Sequence, residues 1–88
     1  MKITDIPVSK IVYTTKQIVE LQEPILYFTY DEDEDIQIIG ETPASMENAM
    51  MISFSQALKI DSSILNIEAI QIDETFIKSD KNTGWVLA

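Results

Sequence analysis

Apolar and polar positions alternate most clearly between Ile25 and Gly40. Ile25-Leu26-Tyr27-Phe28-Thr29-Tyr30 is followed by five acids, Asp31 to Asp35, and then by Ile36-Gln37-Ile38-Ile39-Gly40. Two aromatic and β-branched runs of strand length, separated by charged residues, predict a β-hairpin. Pairing Tyr30 with Ile36 puts Leu26, Phe28, Tyr30, Ile36 and Ile38 on one face and leaves Ile25, Tyr27, Thr29, Gln37 and Ile39 on the other. A loop one residue shorter would set Gln37 and Glu41 beside the aromatic side chains, so burial selects the first register.

Around this hairpin the pattern changes period several times. Ile3 to Pro7 is a short lead-in, with Pro7 holding Ile6 extended. Lys10-Ile11-Val12-Tyr13 reads as a short strand. Thr14 and Thr15 can each cap a helix and Thr14-x-x-Gln17 has capping-box spacing, so the spacing predicts a two-turn helix over Lys16 to Gln22 with Ile18 and Leu21 facing the core. Pro24 ends it. Glu41 to Asn48 contains turn formers without a period and is the segment expected to be most mobile. Ala49-Met50-Met51-Ile52 reads as a short buried strand. Ser53-Phe54-Ser55-Gln56 is a second capping-box spacing, directly before the helical Ala57-Leu58-Lys59-Ile60, and Asp61 can cap a further turn carrying Ile64, Leu65 and Ile67. Ile70, Ile72, Thr75 and Ile77 suggest a half-exposed strand, Lys81 to Gly84 a turn, and Trp85-Val86-Leu87 a return to the body. Short helices among hairpin-linked strands predict an α+β fold. It is a single domain over residues 1–88, a two-layer sandwich of a mainly antiparallel sheet with a central hairpin and two or three short helices.

The 15 acidic against 6 basic residues give a formal charge of -9. Such a chain repels nucleic-acid phosphates and anionic membrane surfaces, so the expected partner is a basic or neutral protein. There is no cysteine and no histidine. Disulfides and thiolate chemistry are therefore excluded, and a general base would have to be a carboxylate or lysine of strongly shifted pKa. Lys10, Lys16, Lys59, Lys78 and Lys81 are read as lying in polar stretches. Gly40 and Gly84 stand alone, which excludes a phosphate-cradling glycine loop. No catalytic residue and no cofactor is assigned. No apolar run approaches the ~20 residues of a membrane span, and the first residues lack a signal peptide's pattern, so the expected location is cytoplasmic.

Asp31, Asp33 and Asp35 have the alternation that opens a calcium-binding EF-hand loop, but Ile36 stands where the sharp-turn glycine belongs and Thr42 where the closing bidentate glutamate belongs. No metal ligand set is therefore assigned, and a solvated hairpin tip is the simpler reading. Five adjacent carboxylates repel one another, and a basic partner or a cation would relieve that repulsion. Met46, Met50 and Met51 could form an adaptable contact surface, although packing over the sheet is the simpler expectation. Trp85 is expected to close the core.

The stretches Pro24 to Phe28, Asp31 to Gln37, Ile52 to Ile64 and the closing Trp85 resemble an uncharacterised bacterial family of unknown function that includes immunity-protein-like members. The resemblance covers about two-thirds of the chain. Its members often carry glycine in the hairpin tip and tryptophan on the returning strand, where this chain has Glu34 and Ile36. It implies a small soluble module without catalytic residues, some relatives of which neutralise toxins by binding.

The expected function is a non-catalytic acidic protein-binding module, of the immunity type that the resemblance implies, contacting its partner through Asp31, Glu32, Asp33, Glu34, Asp35 and the loop near Met46. The alternative is a calcium-binding domain on the same aspartates. A homodimer formed through a free sheet edge, at the last strand or at Ala49 to Ile52, is a further expectation.

Overall fold

A computed structural model describes all residues, Met1 to Ala88. The hairpin has the register that burial selects. Strand β2 (Tyr27–Tyr30) pairs antiparallel with β3 (Ile36–Ile39) through Tyr30 with Ile36 and Phe28 with Ile38. Ile25, expected on the outer face, is instead buried, and Leu26 is half-buried. Strand alternation starts only at Tyr27, so it does not govern the two residues before it.

Six strands form one sheet. In addition to the hairpin they are β1 (Ile11–Thr15), β4 (Ala49–Ser53), β5 (Glu74–Ile77) and β6 (Val86–Leu87), and their spatial order is β4-β1-β3-β2-β5-β6. β1 and β3 are parallel, and every other neighbouring pair is antiparallel. The fold is therefore a small α+β domain, with the hairpin at the centre of the sheet.

Cross-strand rows assign the two faces. Ile52, Val12, Ile36 and Tyr30 form one row, and Ile38, Phe28, Phe76 and Leu87 another. These rows meet the helical layer, and all of their members except Phe76 and Leu87 are buried. The layer comprises α1 (Lys16–Leu21), α2 (Phe54–Ile60) and two 3-10 turns, Ile3–Asp5 and Ser62–Ile67, whose Ile3, Ile18, Phe54, Ala57, Ile64 and Ile67 complete the core. Helices of six or seven residues are unstable alone, so packing holds them.

Capping sets where the helices begin. Thr15, rather than Thr14, caps α1, accepting a hydrogen bond from the Ile18 N–H, and Gln22 ends it in the left-handed region at φ 60°. Leu21, expected in the core, is 73% exposed. With so short a helix it falls on the outer side, and Val19 packs inward beside Ile18. The Ser53 to Gln56 capping box is complete, both halves being present, and Asp61 caps the following turn.

Three further expectations are corrected. The strand proposed from Ile70 is only β5: Asp73, at φ 68°, breaks the alternation, leaving Ile70 in the core and Ile72 exposed. The segment after Gly40 is tied down rather than loose. Thr42 donates its N–H and hydroxyl to the Glu23 carboxylate, at 2.9 and 2.6 Å, and Asn48 bridges Ser45, Pro43 and Gln17. Gly40 lies against this clasp: a Cβ there would come within 2.6 Å of the Pro24 carbonyl oxygen.

The strand expected to be buried, β4, lies at an edge, and only Ile52 of it is buried. The bonds from Lys16 N–H to Asn48 O and from Phe54 N–H to Lys10 O show that the backbone groups of Ala49, Met51 and Ser53 turn outward. The Ala49 N–H donates to Ser45 O and the Ser53 N–H to Gln56 Oε1, so of these three only Met51 has its N–H free.

Candidate interaction surface

The acidic run is a built turn. Asp31 Oδ1 accepts the N–H groups of Asp33 and Asp35, both at 2.9 Å, and its Oδ2 accepts from Gln37 Nε2 at 3.1 Å. The Asp31 N–H donates to Asp35 O and the Glu34 N–H to Asp31 O, with Glu34 at φ 63°. This is a three-residue hairpin loop with a left-handed final residue, where glycine is the unstrained choice. Glu34 instead accepts a hydrogen bond from the Tyr30 hydroxyl at 3.2 Å. Burial raises the Tyr30 phenol above its ordinary value, and the Glu34 charge and hydrogen bond add to that rise.

Glu32, Asp33 and Glu34 are exposed, and Asp31 and Asp35 half-buried. The structure thus brings five of the predicted residues together. It does not bring Met46 to them. β3 runs away from the turn, and Met46 lies in the connection beyond its far end, fully exposed at 101%. Met51 is exposed and Met50 half-buried, so the methionines do not cover the sheet as a packed group.

The carboxylates of Asp31, Asp33 and Asp35 each offer an oxygen within 4.8 Å of the others. Hard cations take such oxygens, but Asp31 already uses both of its own to hold the turn. Beside the turn is a hollow of about 250 Å3, lined by Met1, Ile6, Pro7, Lys10, Tyr30, Glu34 and Ile36. Its wall carries one carboxylate, Glu34, and one lysine, Lys10, so it has no net charge preference of its own.

A buried ionic cluster lies elsewhere, and the sequence reading missed it. Lys78, read as lying in a polar stretch, is buried at the end of β5. Its ammonium donates to Asp61 at 2.6 Å and to Ser63 at 3.0 Å, and stands 4.8 Å from the Trp85 ring centre. The Trp85 indole N–H donates to the same Ser63 hydroxyl, and its ring meets Phe28 edge-on. The signal available in sequence was the apolar run Phe76-Ile77 directly before Lys78 and the nearby tryptophan. Burial pushes the Asp61 carboxyl up, but hydrogen bonds from Lys78 and Ser63 outweigh it and the net direction is down. Glu23 is lowered chiefly by its hydrogen bonds from Thr42.

A cleft of about 540 Å3 between α1, α2 and the turn after β5 is lined by Glu23 and Asp61 together with Lys59 and Lys81. Its two carboxylates are thus the two whose pKa is lowered, the wrong direction for a general base near neutral pH. No helix is long and apolar enough to cross a membrane. No family model, curated protein or solved structure matches the chain.

Proposed function

We propose that the protein is a non-catalytic acidic module that binds a basic protein surface through the β2–β3 turn, an immunity-type inhibitor being one form such a module takes. The observation that carries this reading is uncompensated charge held in place. The turn's own hydrogen bonds fix its backbone and hold the Asp31 and Glu34 carboxylates, so five acids project from one preset loop, while the molecule's one ion pair, Lys78 with Asp61, lies elsewhere. A preset anionic patch steers a cationic partner and loses little freedom on binding.

The test is affinity capture from host lysate at low and high salt. The wild type is compared with a variant carrying Glu32→Gln, Asp33→Asn and Glu34→Gln, which leaves the turn-forming Asp31 intact. A basic protein retained by the wild type, released by salt and lost from the variant is the expected result. Equal retention by both would sink the proposal.

One observation favours a second reading, a calcium-binding turn: the close approach of the three aspartate oxygens. Calcium that binds only the folded chain must raise its melting temperature, and a flat titration removes this reading.

A further inference from the structure

The sheet face turned away from the helices carries a surface opposite in character to the turn. One cross-strand row on it is Met51, Tyr13, Gln37, Thr29 and Thr75, and another is Ile39, Tyr27, Ile77 and Val86, with Ile11 and Ser53 beside the first. None of these residues is charged, in a chain with 15 acids and 6 bases. Ile11, Tyr13, Tyr27, Met51 and Val86 are all exposed. Aromatic residues and methionine with no lysine or glutamate is the composition of an interface centre, not of an ordinary acidic surface.

We propose that this face is where two copies of the chain associate, sheet against sheet. Charge identifies the occupant. The residues of these rows offer a basic partner no carboxylate of their own, whereas two chains of charge -9 approach with least repulsion where uncharged side chains meet, Asp31 on Gln37 marking the charged end of the face. The area agrees. Five half-exposed side chains of this size offer roughly 500 Å2, and the intervening Gln37, Thr29, Thr75, Ile39 and Ile77 bring the face into the range of about 600–1,000 Å2 that each partner of a specific interface buries.

The alternative route, edge pairing through β4, has little to offer, because the Ala49 and Ser53 N–H groups are already taken. The acidic turn lies at one end of the strands, so a two-fold axis along the strands would bring ten carboxylates together. Repulsion selects the axis across the strands, which places the two turns at opposite ends and leaves both free.

Sedimentation equilibrium of the full chain, from about 1 μM to 1 mM so as to reach the weak end of the affinities seen at this interface size, tests the proposal at 0.05 and 0.5 M sodium chloride. The expected result is a monomer–dimer equilibrium whose dissociation constant falls several-fold in the higher salt, since salt screens repulsion between the copies and leaves apolar contact intact. Met51→Glu should abolish the dimer, and so should the milder pair Ile11→Thr with Tyr13→Thr, which keeps strand propensity and adds no charge. Each variant should retain the wild-type circular dichroism.

A monomer throughout the range at both salts overturns the proposal. A dimer that weakens in salt, or one that survives in both folded variants, assigns association to another surface and overturns it equally. The opposite salt dependence keeps this test separate from the acidic-turn reading, which can fail or hold independently.

Discussion

The hydroxyl of Thr14 on β1 is buried and meets no hydrogen-bond partner, while that of Thr15 caps α1. Two adjacent threonines thus have opposite roles. An unsatisfied buried hydroxyl costs about 1–3 kcal/mol, and valine fills the same shape with better strand propensity. Thr14→Val is expected to raise the unfolding free energy by about 1 kcal/mol in urea denaturation, whereas Thr15→Val should lower it by about 1 kcal/mol through loss of the cap. If both lower it, the Thr14 hydroxyl is satisfied in solution and the assignment is wrong.

At the scale of elements, Lys78, Asp61, Ser63 and Trp85 join β5, the end of α2 and the approach to β6. Removing one member of a buried ion pair leaves the other uncompensated. Lys78→Met, which keeps the apolar stem, should therefore cost about 1–2 kcal/mol, read from the thermal or urea midpoint, less than for a fully buried pair because the Asp61 side chain stays 19% exposed on the cleft. Adding Asp61→Asn should recover part of that loss, since asparagine still caps the following turn and no carboxylate is left stranded.

Which elements were legible in the sequence follows from how local their causes are. The hairpin register could be read because a one-residue slip exchanges the faces, and the Ser53–Gln56 box because both partners lie within four residues. Leu21 was misplaced because a six-residue helix has too little length to declare its buried side. Ile70 and Ile72 look alternating until Asp73 turns left-handed, which composition does not announce. The Lys78 cluster depends on partners 15 and 17 residues away, Ser63 and Asp61, and no spacing rule joins them. The acidic turn was visible as a charge run. The uncharged outer face was not, because it exists only once strand order is known.

For the whole molecule, the two lowered carboxyls set the acid limb of stability. Asp61 and Glu23 have folded pKa values below their ordinary 3.8 and 4.5. The unfolded chain therefore takes up protons first as pH falls, and their contribution is whole above those ordinary values and lost as pH drops through the folded ones. Melting temperature should fall on acidification below pH 4.5, the higher of the two ordinary values. The fall should be smaller in Glu23→Gln, which removes one of the two lowered carboxyls, and an equal fall in that variant would contradict the assignment. At the alkaline end the sign reverses. The raised Tyr30 phenol contributes below its ordinary 10.0, and the contribution is lost as pH climbs past it.

The parallel contact between β1 and β3 also has a consequence in time. β3 lies between its sequence neighbour β2 and the more distant β1. Zipping the hairpin encloses a loop of few residues, while docking β1 must first confine the whole chain from Val12 to Ile36. Loop closure therefore favours the hairpin as the first pairing, with β1 and then β4 expected to follow on one flank and β5 and β6 on the other. The stretch richest in mutual repulsion is thus also the shortest connection between any two paired strands of the sheet.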